Sequence, residues 1–169
     1  VIDEDYEYRP NFFEKDYFPI LLSEIQWEQH SISMYGKTHP LPRLEAWYGD
    51  RGAQYSYSGI KLNPLPWDPI LLEIKMQLES VTQQKFNSVL CNLYRDGRDY
   101  VSWHADDEKE LGVKPFIASC SFGAERKFQM KTRRPELEEK KEFTLENRSL
   151  FIMKNQFQNE WVHQIPKQL

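Results

Sequence analysis

Apolar residues recur at helical spacing in two stretches of the first half of the chain and at alternate positions through most of the rest. Over 14–26, Phe18, Leu21, Leu22 and Ile25 fall on one face, which predicts a first helix packed against a core. The second stretch carries fuller signals. Asp68 can accept from the free amides of a first turn, Pro69 suits that turn, and Ile70, Leu71, Ile74, Leu78 and Val81 form an apolar stripe. Between the two, 27–57 is strand-rich, and breaks at Gly36-Lys37, His39-Pro40 and Gly49-Asp50 predict an exposed hairpin followed by a second one. After residue 86 the helical period disappears. Apolar runs at 88–95, 100–106, 115–122, 125–131, 142–146, 149–154 and 160–165 are separated by turn residues and by a charged loop at 132–141. Residues 1–13 read as an acidic, aromatic arm with a short strand. Short strands at regular spacing behind two helices predict an α+β, mainly β chain, an antiparallel sandwich of jelly-roll type with two supporting N-terminal helices.

Composition narrows the class. A chain of 169 residues fits one domain with a substantial core. With 40% hydrophobic and 14% aromatic residues it is not disordered, and no run approaches the roughly 18 apolar residues of a membrane span. The acidic start, without an apolar h-region, is not read as a signal peptide, so an intracellular monomer with no membrane partner is expected. Cys91 and Cys120 sit in apolar runs, as buried free thiols do in a reducing compartment. The net charge of −4 is concentrated in residues 1–16, which hold six acids and two bases, so the remainder is neutral. Arg126, Lys127, Lys131, Arg133, Arg134, Lys140 and Lys141 then form a basic stretch, either a phosphate-facing edge or a solvated hairpin loop.

The chemistry lies in two separated fragments, His104-Ala105-Asp106 and Trp161-Val162-His163. In an extended segment residues two apart share a face, so His104 and Asp106 point together, and His163 must arrive from another strand. Two imidazoles and one carboxylate form the facial set that holds Fe(II) on one side and leaves positions open. A zinc site from Cys91, His104, Cys120 and His163 lacks any C-x-x-C, and Gly36-Lys37-Thr38 lacks the upstream glycine of a P-loop, where Ser31 stands. A chance His-x-Asp is expected about 0.2 times in this composition, so the motif takes its meaning from context.

That context is Asn92-Leu93-Tyr94-Arg95-Asp96-Gly97 upstream, Pro115 to Gly123 downstream, and Trp-x-His with Pro166 at the close. From about Pro42 to Pro166 the order and spacing resemble the AlkB family of Fe(II)/2-oxoglutarate dioxygenases, most nearly its duplex-DNA repair branch. The resemblance implies a single dioxygenase domain over 1–169, with nucleotide-recognition hairpins in 27–60 and a double-stranded β-helix (jelly-roll) core in 86–169. It implies Fe(2+) held by His104, Asp106 and His163, with 2-oxoglutarate and O2 as cosubstrates. It further implies oxidative removal of methyl groups from N1-methyladenine and N3-methylcytosine in DNA, releasing formaldehyde and succinate. The alternatives kept open are the same chemistry on single-stranded DNA or RNA, and a nucleic-acid-binding module without catalysis.

By the same resemblance Asn92 and Tyr94, on one face of their strand, hydrogen-bond 2-oxoglutarate. Asp107 and Glu108 lie beside the target base, where a carboxylate favours a cationic methylated base. Met34-Tyr35-Gly36-Lys37 resembles the hairpin tip that enters the base stack, with Tyr35 as the wedge. Arg43 in Pro42-Arg43-Leu44, with Tyr55 and Tyr57, matches segments lining the base pocket, where Arg43 is expected to contact phosphate or buttress the pocket and either Tyr to stack on the flipped base. One departure stands out: the family strand after Trp-x-His supplies an arginine for the distal carboxylate of 2-oxoglutarate, and this sequence stops at Leu169. A natural polypeptide that continues past Leu169 with that strand is therefore expected.

Overall fold

The computed structural model describes residues 1–57 and 59–169; Ser58 and the side chain of Tyr57 lie outside the description, and with them the expected pocket role of Tyr57. The first half runs β1 (Tyr6–Arg9), α1 (Phe18–Glu24), β2 (Ser31–Met34), β3 (Lys37–Pro40), β4 (Leu44–Gly49), β5 (Tyr55–Tyr57), β6 (Ile60–Leu62) and α2 (Pro69–Thr82). The second half runs β7 (Ser88–Leu93), β8 (Val101–His104), β9 (Ile117–Ser121), β10 (Arg126–Thr132), β11 (Lys140–Leu145), β12 (Ser149–Met153), α3 (Phe157–Glu160) and β13 (Trp161–Ile165). A 3₁₀ turn spans Lys109–Leu111. The protein is mainly β with three α-helices among the described residues. None of these helices is long and apolar enough to cross a membrane. The chain divides into two compact units, 1–19 with 100–169, and 20–99.

The first unit holds two antiparallel sheets, ordered β1-β12-β9 and β11-β10-β13-β8. Alternation along each strand sets which side chains turn inward. In β10 Phe128 and Met130 are buried, and in β13 Trp161, His163 and Ile165 are buried. Aromatic rings close the space between the sheets: Phe128 meets Phe151 at 4.6 Å between centroids, and Tyr6 meets Phe143 at 5.9 Å. The acidic arm is therefore part of the core at its centre. Tyr6, Glu7 and Tyr8 are buried because β1 pairs with β12, from Tyr6 opposite Met153 to Arg9 opposite Leu150. The Tyr8 hydroxyl donates to the Thr144 carbonyl at 2.7 Å and accepts from the Glu146 amide at 3.0 Å, tying β1 to the end of β11. Gly123 cannot carry a side chain without displacing Phe18, whose ring would lie 2.7 Å from an added Cβ.

In the second unit α2 begins as its residues predict, with Asp68 Oδ1 accepting from the Ile70 amide at 2.8 Å. Leu71, Ile74 and Leu78 are buried, whereas Val81, in the last turn, is exposed. The first helix is shorter than its apolar spacing suggests. It starts at Phe18 because Asp16 caps that amide and Pro19 is tolerated only in a first turn, and of its expected core face only Ile25, just beyond the helix, is buried.

The exposed hairpin forms from β2 and β3, with Met34 opposite Lys37 and a two-residue turn at Tyr35-Gly36. Both turn residues have positive φ, 51° and 75°, the condition for a turn whose twist matches the flanking strands. The second hairpin is not where the break at Gly49-Asp50 suggested. That break ends β4, which pairs instead with β7, and the hairpin is β5 with β6. Ala46 and Tyr48 of β4 pack with Val89 and Cys91 of β7, together with Ile25 and Leu71, so burial selects a partner some 40 residues away that turn signals cannot name. A further correction concerns the second half, where no helix was expected. α3 is a single turn, too short to show a period, yet it buries Phe157 and Gln158.

Candidate metal centre and flanking residues

Antiparallel pairing of β8 with β13 sets His104 directly opposite His163. Their ring centroids lie 4.3 Å apart, with His163 buried and His104 partly exposed. β8 ends at His104, so Asp106 is reached by a loop rather than by the extended strand expected through 106. The carboxylate nevertheless arrives between the rings: Oδ2 lies 3.3 Å from His163 Nε2 and Oδ1 lies 3.6 Å from His104 Nε2. One donor atom from each residue lies within 4.8 Å of the others, close enough to share one ion.

The surroundings orient these donors. His104 Nδ1 is 2.7 Å from the Ser102 carbonyl, so the ring proton belongs on Nδ1 and the Nε2 lone pair faces Asp106. His163 is held by packing, between Phe128 at 5.3 Å and Phe157 at 5.6 Å, and its Nδ1 is buried without a hydrogen-bond partner. The Asp106 amide donates to Gln158 Oε1 at 2.8 Å. Burial alone would push the Asp106 carboxyl upward. The hydrogen bond and charge of His163, with the charge of His104, outweigh burial and hold it below its ordinary value. A metal ion requires the imidazoles neutral and takes the place of any Nε2 proton, and an ionised carboxylate with two neutral imidazoles is the donor set a divalent first-row cation takes, so the residues fit Fe(II).

Next to the triad, Asp107 turns outward and pairs with Arg133 at 3.4 Å. The same guanidinium donates to the Gln158 carbonyl at 2.7 Å. Glu108 is half-buried and precedes the 3₁₀ turn. Gln158 escaped the sequence reading, and Arg133 entered it only as one charge of the basic stretch. A glutamine in a polar run and an arginine in a charged loop carry no period or motif, and only the fold shows what they touch.

The remaining candidates belong to the second unit. Tyr35, at the tip of the β2–β3 hairpin, is 98% exposed. Arg43 is buried, with Nε 3.6 Å from Oε2 of the fully buried Glu45, whose Oε1 lies 3.0 Å from His30 Nδ1. This arrangement suits a buttress. Leu41 donates its amide to the His30 carbonyl at 2.8 Å, so the cluster sits at the base of the hairpin. Tyr55 is buried and stacks on Trp47 at 5.0 Å. Asn92 is exposed on β7 opposite Glu45, and half-buried Tyr94 follows the strand. The opposite face of β7, with Val89 and Cys91, packs on the core, as alternation predicts. Burial, with a smaller contribution from Asp68, pushes the Cys91 thiol up to about 12.

A mainly β chain that brings two imidazoles and a carboxylate to one point defines a class. Residues 13–169 match the 2OG-Fe(II) oxygenase superfamily, and the chain belongs to that superfamily. Among curated proteins it is 42% identical over 160 residues to the alpha-ketoglutarate-dependent dioxygenase alkB homolog 3 of Bos taurus, covering 89% of this chain and 55% of that protein. It is 38% identical over 162 residues to the DNA oxidative demethylase ALKBH2 of Bos taurus, covering 90% and 55%. With the protein of that name from Arabidopsis thaliana the identity is 34% over 176 residues, covering 89% and 56%. The AlkB resemblance carried by the motifs is thus borne out, and Fe(II), 2-oxoglutarate and O2 are the reactants the superfamily implies. The chain spans about half the length of the curated relatives it matches.

Proposed function

We propose that this protein is an Fe(II)/2-oxoglutarate-dependent dioxygenase that demethylates N-alkylated bases of DNA, N1-methyladenine and N3-methylcytosine, after flipping them from a duplex. The observation that carries the proposal is the convergence of His104, Asp106 and His163 in a chain of the 2OG-Fe(II) oxygenase superfamily. These three residues would hold the metal and leave positions for its reactants. The bound metal would supply the oxidative chemistry in which O2 converts 2-oxoglutarate to succinate and CO2 and hydroxylates a methyl group. The hydroxymethyl group on a ring nitrogen is a hemiaminal that loses formaldehyde and restores the base.

The other roles are those the AlkB resemblance implies, and the chemistry of each side chain suits them. Asn92 and Tyr94 hydrogen-bond 2-oxoglutarate. Asp107 and Glu108 place negative charge beside the base, which favours a cationic methylated ring over a neutral one. Exposed Tyr35 supplies a ring to fill the gap a flipped base leaves, and buried Arg43 with Glu45 and His30 stiffens the hairpin that presents it. Tyr55 lines the base pocket. The organisation proposed is a single dioxygenase domain, with the recognition hairpins in 27–60 and a jelly-roll, double-stranded β-helix core in 86–169. The partner is duplex DNA and the protein is an intracellular monomer.

The test is product stoichiometry. Protein loaded with Fe(II), given 2-oxoglutarate, O2 and a methylated oligonucleotide, releases formaldehyde and succinate together, and Asp106→Ala releases neither. Succinate without formaldehyde from any methylated strand refutes the substrate, and neither product from the unaltered protein refutes the reaction class.

A further inference from the structure

Gln158 is 3% exposed, inside a core built mostly from aromatic and aliphatic side chains. Burying a primary amide is unfavourable unless its polar atoms are used. Its carbonyl oxygen accepts one strong bond, from the Asp106 amide at 2.8 Å, and its amide nitrogen meets only the soft Met153 sulfur at 3.6 Å. The strong bond joins positions 52 residues apart, too far for any local turn, and of the three ligands it falls on the one that is not on a strand.

His104 and His163 are fixed by the β8–β13 ladder, whereas Asp106 has left it. The helix carrying Gln158 is itself anchored. The Arg133 amide donates to the Glu160 carbonyl at 2.8 Å, and the Arg133 guanidinium reaches the Gln158 carbonyl at 2.7 Å and Asp107 at 3.4 Å. The Arg134 guanidinium pairs with the Glu160 carboxylate at 2.7 Å.

We propose that Gln158 is a positioning residue of the metal centre, whose side-chain carbonyl fixes the Asp106 backbone and so aims its carboxylate between the two imidazoles, with Arg133 bracing the helix behind it. The inference rests on the assignment of His104, Asp106 and His163 as metal ligands. Groups that orient ligands in this way typically govern metal affinity by about 10- to 100-fold. The bond uses the acceptor of Gln158 and not its volume, so a side chain of equal length without an acceptor loses the effect, and one that keeps an acceptor oxygen restores it.

The experiment is titration of the protein with Mn(II), without 2-oxoglutarate or substrate, followed by the loss of the free Mn(II) paramagnetic resonance signal and accompanied by the melting temperature of the metal-free protein. Gln158→Met is expected to weaken Mn(II) binding by about tenfold or more while leaving the metal-free melting temperature near that of the unaltered protein. Gln158→Glu is expected to bind Mn(II) more tightly than Gln158→Met. Unchanged affinity in Gln158→Met overturns the inference. Failure of Gln158→Met to fold also overturns it, because the residue is then a packing element of the core, and so does Gln158→Glu binding no better than Gln158→Met. If the unaltered protein binds no Mn(II), the ligand assignment falls and this inference with it. Binding that Gln158→Met leaves unchanged removes only the role of Gln158.

Discussion

Replacing Tyr35 with glycine removes a ring that is 98% exposed and so packs against almost nothing in the free protein. Its backbone sits at φ 51°, a left-handed conformation that costs a non-glycine residue about 1–2 kcal/mol. Glycine removes that strain but gives up about 0.5–1 kcal/mol through the greater freedom of the unfolded chain, so the net effect is a stabilisation of about 0–1.5 kcal/mol. The melting temperature should therefore not fall, and should rise by no more than about 3–6 °C. An inserted ring replaces stacking worth about 1–3 kcal/mol per base, so its loss lowers kcat/KM on a methylated duplex by about 5- to 150-fold. A single-stranded substrate needs no such replacement and should lose far less. Tyr35→Phe keeps the ring and should keep duplex activity. The assay is kcat/KM for one methylated oligonucleotide, alone and annealed to its complement. Equal losses on the two substrates, or an unaffected duplex rate, would refute the wedge.

Three further outcomes follow from the core and its charges. Tyr8→Phe removes both hydrogen bonds of the buried hydroxyl, to Thr144 and Glu146, and should cost about 1–3 kcal/mol in urea unfolding, with an unchanged slope. Because burial pushes the Cys91 thiol up to about 12, its thiolate is scarce at neutral pH. Iodoacetamide should label Cys91 in native protein at least about a hundredfold more slowly than in urea, read by peptide mass spectrometry. Asp99, hydrogen-bonded by the Arg95 guanidinium and amide, has its carboxyl held below the usual range. A depressed folded value adds stability above the unfolded pKa of about 3.9 and loses it as pH falls through the folded value, so Asp99→Asn should flatten the acid limb of the urea midpoint plotted against pH.

Local chemistry made several elements legible in the sequence. α2 declares itself through Asp68, Pro69 and a stripe of which Leu71, Ile74 and Leu78 are buried. Inward His163 follows from alternation with Trp161 and Ile165, and the His-x-Asp spacing points to the donor set that the fold assembles. Non-local pairing stayed hidden. The choice of β7 as the partner of β4 rests on a shared core with α2, and the burial of β1 rests on its place beside β12. The supports of the triad were hidden for the same reason, since the contact between Gln158 and Asp106 exists only once β13 lies against β8.

The most direct measurement is demethylation itself. Protein reconstituted with Fe(II) without air is exposed to O2 with 2-oxoglutarate and a duplex oligonucleotide carrying one N1-methyladenine, and the strand is weighed by mass spectrometry. The account predicts loss of the methyl group that requires both Fe(II) and 2-oxoglutarate and is abolished by His104→Ala. A methylated strand that survives while 2-oxoglutarate is converted to succinate would contradict the assigned substrate, and methyl loss that persists in His104→Ala would contradict the metal centre.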